Sequence, residues 1–354
     1  MVNGYPQNNM ENAEGDKIIG IDHRLSVDLL KVMASVFIVN SHFGSVWPVG
    51  QLAFGGLIGD CLFFMASGYC LYGILIGMEY RFPRWYLERI IRVYPAVWIS
   101  ICVGLIIGLY RFGSFSDVFS IFIYPTPFHF VGSIMICYIV YYFAVTLCKK
   151  KGCSLLWIII GVFGLHLLIY IFLYDKSYYH VDVVEENFIR FLYLESMMTG
   201  AVLKASDTIV AKVRNLHPVI KWGGVLFFGC IYLATKQLFS HYSGFETVSN
   251  FQIINQVTIS IFVSFLFAVV LGEEDRIRKF SRPIIMAIYR IAALTLEIYV
   301  FHHYFIMLFG KMIFPVNVLL IVTSTLAAAF GIHKVLEKPT RYVNHFIETQ
   351  SFRQ

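Results

Sequence analysis

At 354 residues, 58% hydrophobic and only 14% charged, with a mean hydropathy of +0.69, the chain is not an ordinary soluble enzyme. Water-soluble domains carry about 25% charged and roughly 45–50% apolar residues. The same numbers exclude a disordered, collagen-like or disulfide-scaffold chain. The net charge of +6 has the sign that nucleic-acid binding needs, but its distribution assigns it to membrane topology, and no nucleic-acid partner is expected. Seven cysteines (Cys61, Cys70, Cys102, Cys137, Cys148, Cys153, Cys230) form no CxxC pair, so no metal or disulfide framework is read from them.

The first 27 residues are polar and lack an apolar core followed by a small-residue cleavage site. They predict a cytoplasmic tail over 1–27 and no removable signal peptide. Ten apolar runs follow, at 29–48, 53–77, 93–110, 130–148, 155–174, 188–204, 222–239, 252–272, 284–309 and 312–335, each near the ~20 residues that cross a bilayer core. In lipid each run must satisfy its own backbone hydrogen bonds, which makes it a helix. The expected fold is all-α: a polytopic integral membrane protein of ten transmembrane helices, with the membrane domain over 28–343 and a cytoplasmic tail over 344–354. Starting inside, alternation leaves only Arg111, Lys176, Arg190, Lys236 and Lys311 of the 28 basic side chains on or near the outside. That bias predicts cytoplasmic N- and C-termini. No outside loop is long enough for a separate catalytic domain, so any chemistry is placed in the helices and their short loops.

Ionisable side chains at membrane depth are costly and so are functional candidates by default. In the first run Lys31 and His42 are eleven residues apart. That is about 20° beyond three full turns, which puts them on one face, roughly 16 Å apart along the axis. Asp28 and Ser35 extend the stripe. The competing structural reading is a snorkelling lysine and a histidine bonded to a neighbouring helix. The second run carries Asp60 in its outer half, with Ser67 seven residues on along the same face. The cytoplasmic segment GMEYRFPRWYLERIIRVYP, from Gly77, places Arg89 and Arg92 as i, i+3 neighbours on a short amphipathic helix. Paired guanidiniums suit phosphate groups through bidentate charge-assisted hydrogen bonds; contact with lipid headgroups is the plainer alternative.

Farther along, His129 at the outer mouth of the fourth run reads as a substrate contact or a solvent-facing side chain, and His166 reads as core. Glu195 falls at the depth of Asp60. Asn255 and Gln256 line an acceptor entrance or reflect interfacial polarity. The ninth run aligns Thr295, Tyr299 and His302 on one face at i, i+4 and i+7, with Glu297 on another. His42, Asp60, Glu195 and His302 thus share one outer-half layer, where imidazoles serve as base or acid and carboxylates orient them. Structural hydrogen bonding between helices is the alternative for the two carboxylates. His303 beside His302 invites a metal reading, but adjacent helical residues point about 100° apart, and no metal is expected.

These segments resemble the acyltransferase-3 family of membrane-bound acyltransferases. RLSVDLLKVMASVFIVNSHF is similar to its first-helix signature, a basic residue and a histidine, here Lys31 and His42. GLIGDCLFFMASGYCLYG resembles its acidic-FF-SG pattern at Asp60, Phe63, Phe64, Ser67 and Gly68. WYLERIIRVYPAVW resembles its Arg-x-x-Arg loop at Arg89 and Arg92. LEIYVFHHYFI resembles its Tyr-Leu-x-His helix at Tyr299 and His302, and LEKPTRYV its closing Glu-x-Pro at Glu337 and Pro339. One departure is Lys31, where the family usually has an arginine; lysine lacks the planar bidentate fork.

The resemblance implies acyl transfer, usually of acetyl from acetyl-CoA, onto hydroxyls of bacterial surface glycans of the capsule, exopolysaccharide or O-antigen type. The expected location is the bacterial plasma (inner) membrane. On that reading Lys31, Arg89 and Arg92 hold the CoA donor, and His42 acts as general base with His302 or Asp60 orienting it. Glu195, Tyr299 and His129 are the candidate contacts to a glycan or glycolipid acceptor, with membrane lipids as the remaining partner. The alternatives are a transporter or flippase of a glycan or lipid intermediate, and an acyltransferase acting on a small metabolite or lipid.

Overall fold

The computed structural model describes residues 24–77, 81–124 and 126–351, with side chains through Val343. Most of the expected N-terminal tail, and the side chains of the expected C-terminal tail, lie outside the described residues. Every regular element among the described residues is helical.

The first helix, α1 (Leu25–Ser41), starts and stops earlier than the apolar run 29–48 suggests. The cause is Asn40. Its side-chain amide donates to the carbonyls of Leu52 (2.8 Å) and Phe54 (2.9 Å) and accepts from the Trp47 indole (2.9 Å). These bonds fold the Gly- and Pro-containing segment 42–55 back over the helix end as a loop, with His42 as the C-cap. Helix α2 (Gly56–Gly77) returns across the bundle, and α3 (Phe82–Ile106) fuses the amphipathic Arg89/Arg92 segment to the third apolar run as one helix. A short helix, α4 (Phe115–Phe122), is set by a capping box between Ser114 and Asp117. In α5 (His129–Lys151) the end is doubly marked, by Lys149, Lys150 and Lys151 in the last turn and by Gly152 in the left-handed region at φ 64°. Cations there complement the helix dipole, and glycine takes that conformation without strain.

The chain continues through α6 (Leu155–Phe172), α7 (Ile189–Ala205), the short α8 (Asp207–Arg214), α9 (Pro218–His241) and α10 (Ile253–Gly272). The ninth apolar run, expected as one span over 284–309, is two helices: α11 (Arg282–Ala293) and α12 (Thr295–Phe309), bent by 77° at Leu294. The last helix, α13 (Val316–Ser351), extends well past the run that predicted it. Seven helices (α2, α3, α5, α6, α9, α10 and α13) are long and apolar enough to cross a membrane, and the α11–α12 pair makes an eighth as one broken span. The chain is a multi-pass membrane protein. Helices α1 and α7 are 17 residues each, about 26 Å at 1.5 Å per residue.

The centre of the bundle is the α2–α7 crossing, and glycine makes it possible. A Cβ on Gly68 would lie 1.8 Å from the Met197 carbonyl oxygen, and one on Gly200 would lie 2.0 Å from that of Met65. Lipid supplies no hydrophobic drive between helices, so close backbone contact through small residues takes its place. Tyr141 of α5 donates to the Gly68 carbonyl at 2.7 Å and ties a third helix to the crossing. Helix α1 packs on the other flank, where a Cβ on Gly59 would meet the Ala34 carbonyl at 2.6 Å. This frame holds α1, α2 and α12 in the register on which both polar sites depend.

Candidate active site and donor cleft

The larger of two described cavities is a cleft of about 1120 Å³ between α1, α2, α3, α5, α11, α12 and α13. Lys31, Arg89 and Arg92 all line it, so three cations from two separate helices face one space. Helical spacing explains the pair on α3: i and i+3 share a face, and that face is turned inward by the buried Trp85, whose ring also carries the Arg89 guanidinium at 5.7 Å. Lys31 pairs with Asp28 at 3.2 Å, and Glu88 lies 3.4 Å from both Arg84 and Arg89. Lys338 and Arg341 of α13 add positive charge to the same wall, so five lysines and arginines face three glutamates, Glu88, Glu297 and Glu337. Pro95 lies inside α3 and lines the cleft; its ring cannot accommodate a normal helical bond to the carbonyl four residues back.

The same cleft is lined by many apolar side chains, among them Phe63 and Phe130, and by Thr295. Phe130 lies 5.2 Å, ring to ring, from Tyr299, and Tyr299 lies 6.2 Å from His302. One aromatic layer therefore separates the cleft from a second polar cluster. There the rings of His42 and His302 are 5.0 Å apart, those of His42 and His303 are 4.3 Å apart, and those of His302 and His303 are 4.2 Å apart. His302 is fully buried. Its Nδ1 lies 3.2 Å from the Ile298 carbonyl, which can only accept, so the proton sits on Nδ1. The lone pair is then on Nε2, a buried atom with no hydrogen-bond partner among the described residues. His42 is exposed and His303 partly so. The adjacent residues 302 and 303 both lie against His42, at the C-cap of α1, although their side chains leave α12 about 100° apart.

A cationic cleft close to a cluster of imidazoles can serve group transfer, and group transfer is the class of reaction that the family comparison shows. The Acyltransferase domain model matches residues 24–333. The chain belongs to the acyltransferase-3 family. No curated protein matches it, and no solved structure does. The matched region of this acyltransferase contains His42, Asp60, Arg89, Arg92, Tyr299 and His302. Glu337 and Pro339 lie beyond it, although α13 continues along the cleft as far as Tyr342.

The single layer of four residues expected from helical depth is divided in the acyltransferase. His42 and His302 come together, whereas Asp60 accepts from the Tyr193 hydroxyl at 2.9 Å and Tyr193 stacks flat on Phe64 at 4.4 Å. Glu195 faces the opposite side of α7. It meets Nδ1 of His166 at 2.9 Å beside a smaller cavity of about 160 Å³ that Gln256 also lines. His129 begins α5 and sits 3.6 Å from Glu185 at the surface. Of the three expected acceptor contacts, Tyr299 alone touches the histidine cluster among the described residues. Depth along an axis does not fix rotation about it, and rotation separates these side chains.

The residue reading named His303 but set it aside, and it missed two further participants. His303 completes the imidazole cluster. Tyr193 is the partner of Asp60. His333 of α13 meets Glu297 of α12 at 2.8 Å, and both line the cleft. His333 falls within an apolar run, and its position at membrane depth is a signal that the general rule for ionisable groups could have raised.

Proposed function

We propose that the protein is a membrane-bound O-acyltransferase that carries acetyl from cytoplasmic acetyl-CoA to a hydroxyl of a surface glycan or glycolipid on the other side of a bacterial plasma membrane. In this reading α1 and α7 also span, giving ten crossings with both termini in the cytoplasm. The observation that carries the proposal is the single cleft that joins Lys31, Arg89 and Arg92 at one end to the aromatic layer of the histidine cluster at the other. CoA has matching chemistry: phosphates at one end, a long uncharged arm, and a thioester at the tip. Guanidiniums and ammonium groups take the phosphates. The arm lies in the apolar part of the cleft, and the thioester is delivered toward His42.

The chemical step follows. The acceptor oxygen attacks the thioester carbonyl while His42 removes the hydroxyl proton. The carbon–sulfur bond breaks, and CoA leaves as a thiolate that takes a proton. His302 packs beside His42 and positions it. Asp60, tied to Tyr193, acts as a positioning residue at one remove. Tyr299 closes the aromatic layer between donor and acceptor sides, which keeps water from the thioester.

The test is acetyl-CoA binding to the detergent-solubilised protein, paired with release of CoA thiol when glycan acceptors are added. The expected result is micromolar binding that the folded Arg89→Ala/Arg92→Ala variant loses, and thiol release only with acceptor present. Absence of donor binding to folded wild type overturns the proposal and favours a transporter, which would move its cargo unmodified.

A further inference from the structure

Three imidazoles converge at the end of α1, and the single hydrogen bond they make among the described residues is from His302 Nδ1 to the Ile298 carbonyl. The nitrogens of His42, His302 and His303 lie within 4.8 Å of one another. Among the described residues no carboxylate pairs with any of the three rings. His302 Nε2 is buried and has no hydrogen-bond partner among the described residues. The ring nitrogens of His42 and His303 likewise make no hydrogen bond among the described residues, so the arrangement is a set of donors without an acceptor of its own.

We propose that His42, His302 and His303 form a three-histidine binding site for a divalent transition metal of the zinc class, and that filling it silences His42. The ligand chemistry selects this class. Imidazole suits zinc and copper, whereas magnesium and calcium require carboxylate, carbonyl and water oxygens. A zinc centre with Zn–N near 2.0–2.1 Å and tetrahedral angles places its nitrogens about 3.4 Å apart. The cluster is within reach of that spacing through rotation of His42 and His303, the two less buried rings. His302 is the fixed ligand: its Nδ1 is held by the Ile298 carbonyl, an outer-shell contact of the kind that orients a metal-binding imidazole. The fourth position is left to water. Metal binding does not depend on the acyltransferase reading. The inhibitory consequence does, because one lone pair on His42 cannot both ligate zinc and take a proton.

The test uses protein purified without a polyhistidine tag, titrated with zinc in competition with a chromophoric chelator. One zinc per chain is expected, with affinity lowered at least tenfold by His303→Ala and by His42→Ala and no competition from magnesium or calcium. His303 is exposed enough to be replaced without loss of fold, which a thermal melt of each variant verifies. Absence of binding at micromolar zinc, or binding that neither substitution changes, overturns the site. In a thiol-release assay zinc should inhibit the wild type, and His303→Ala should require at least tenfold more zinc for the same inhibition. Equal inhibition of both overturns the link to His42. If the wild type transfers no acetyl, the proposed function fails while the titration still decides the metal site.

Discussion

The backbone of α12 decides which nitrogen of His302 carries its proton, because the carbonyl of Ile298 can only accept. A neutral imidazole held in one tautomer beside His42 is a good positioning group and a poor acid. In the proposed mechanism the base role therefore falls to His42, the exposed ring at the helix end. Replacing His42 with alanine should lower thiol release by about 10²–10⁴-fold, the span typical of general-base removal, while acetyl-CoA binding stays within twofold of wild type. Retained turnover would transfer the base role elsewhere. Each of Arg89→Ala and Arg92→Ala alone should weaken donor binding by about tenfold, or 1.4 kcal/mol, measured by calorimetry. At this scale the sequence showed Lys31, Arg89, Arg92, His42 and His302, because their spacing along single helices is enough to place them on a face. The pairs Asp60–Tyr193, Glu195–His166 and Glu297–His333 were not legible. Each joins residues on different helices, and the rotation of one helix against another is written in packing that no single segment contains.

At the scale of the elements, the α2–α7 crossing is the most demanding contact. Valine at Gly68 must displace the Met197 backbone, so Gly68→Val should lower stability by about 3 kcal/mol, at the upper end for overpacking. Gly73→Ala on the same helix meets only the flexible end of Lys204 at 3.5 Å and should melt as wild type does. Thermal unfolding in detergent compares the two, and equal melting points would mean that the crossing relaxes more easily than its geometry indicates. Helix existence was readable throughout, because apolar runs in lipid have one way to satisfy their backbone. Two ends were not. Helix α1 stops at Ser41 because Asn40 bonds to carbonyls twelve and fourteen residues later, a contact hidden from a local reading. The bend at Leu294 occurs in RIAALTLEIY, a stretch with neither glycine nor proline, so tertiary packing sets it.

For the molecule as a whole, the proposed function divides the work between two faces of a membrane, with the cationic cleft and the imidazole cluster on either side of one aromatic layer. The basic bias along the sequence suggested that direction; the volume and lining of the cleft were not legible, because they emerge from seven helices at once. One wall of the cleft comes from the last helix alone. The family match ends at residue 333, and Leu336, Glu337, Lys338, Thr340, Arg341 and Tyr342 beyond it also line the cleft. In the proposed function this stretch is the part of the donor site nearest the nucleotide end of CoA, farthest from the acyl group. Exchanging residues 334–354 for those of a relative should change the preference between CoA and dephospho-CoA while leaving acyl chain-length preference alone. A shift in chain-length preference would show that the donor lies in the cleft the other way round. In the proposed arrangement the end of α13 tunes the choice of nucleotide, while Lys31, Arg89 and Arg92 hold its phosphates.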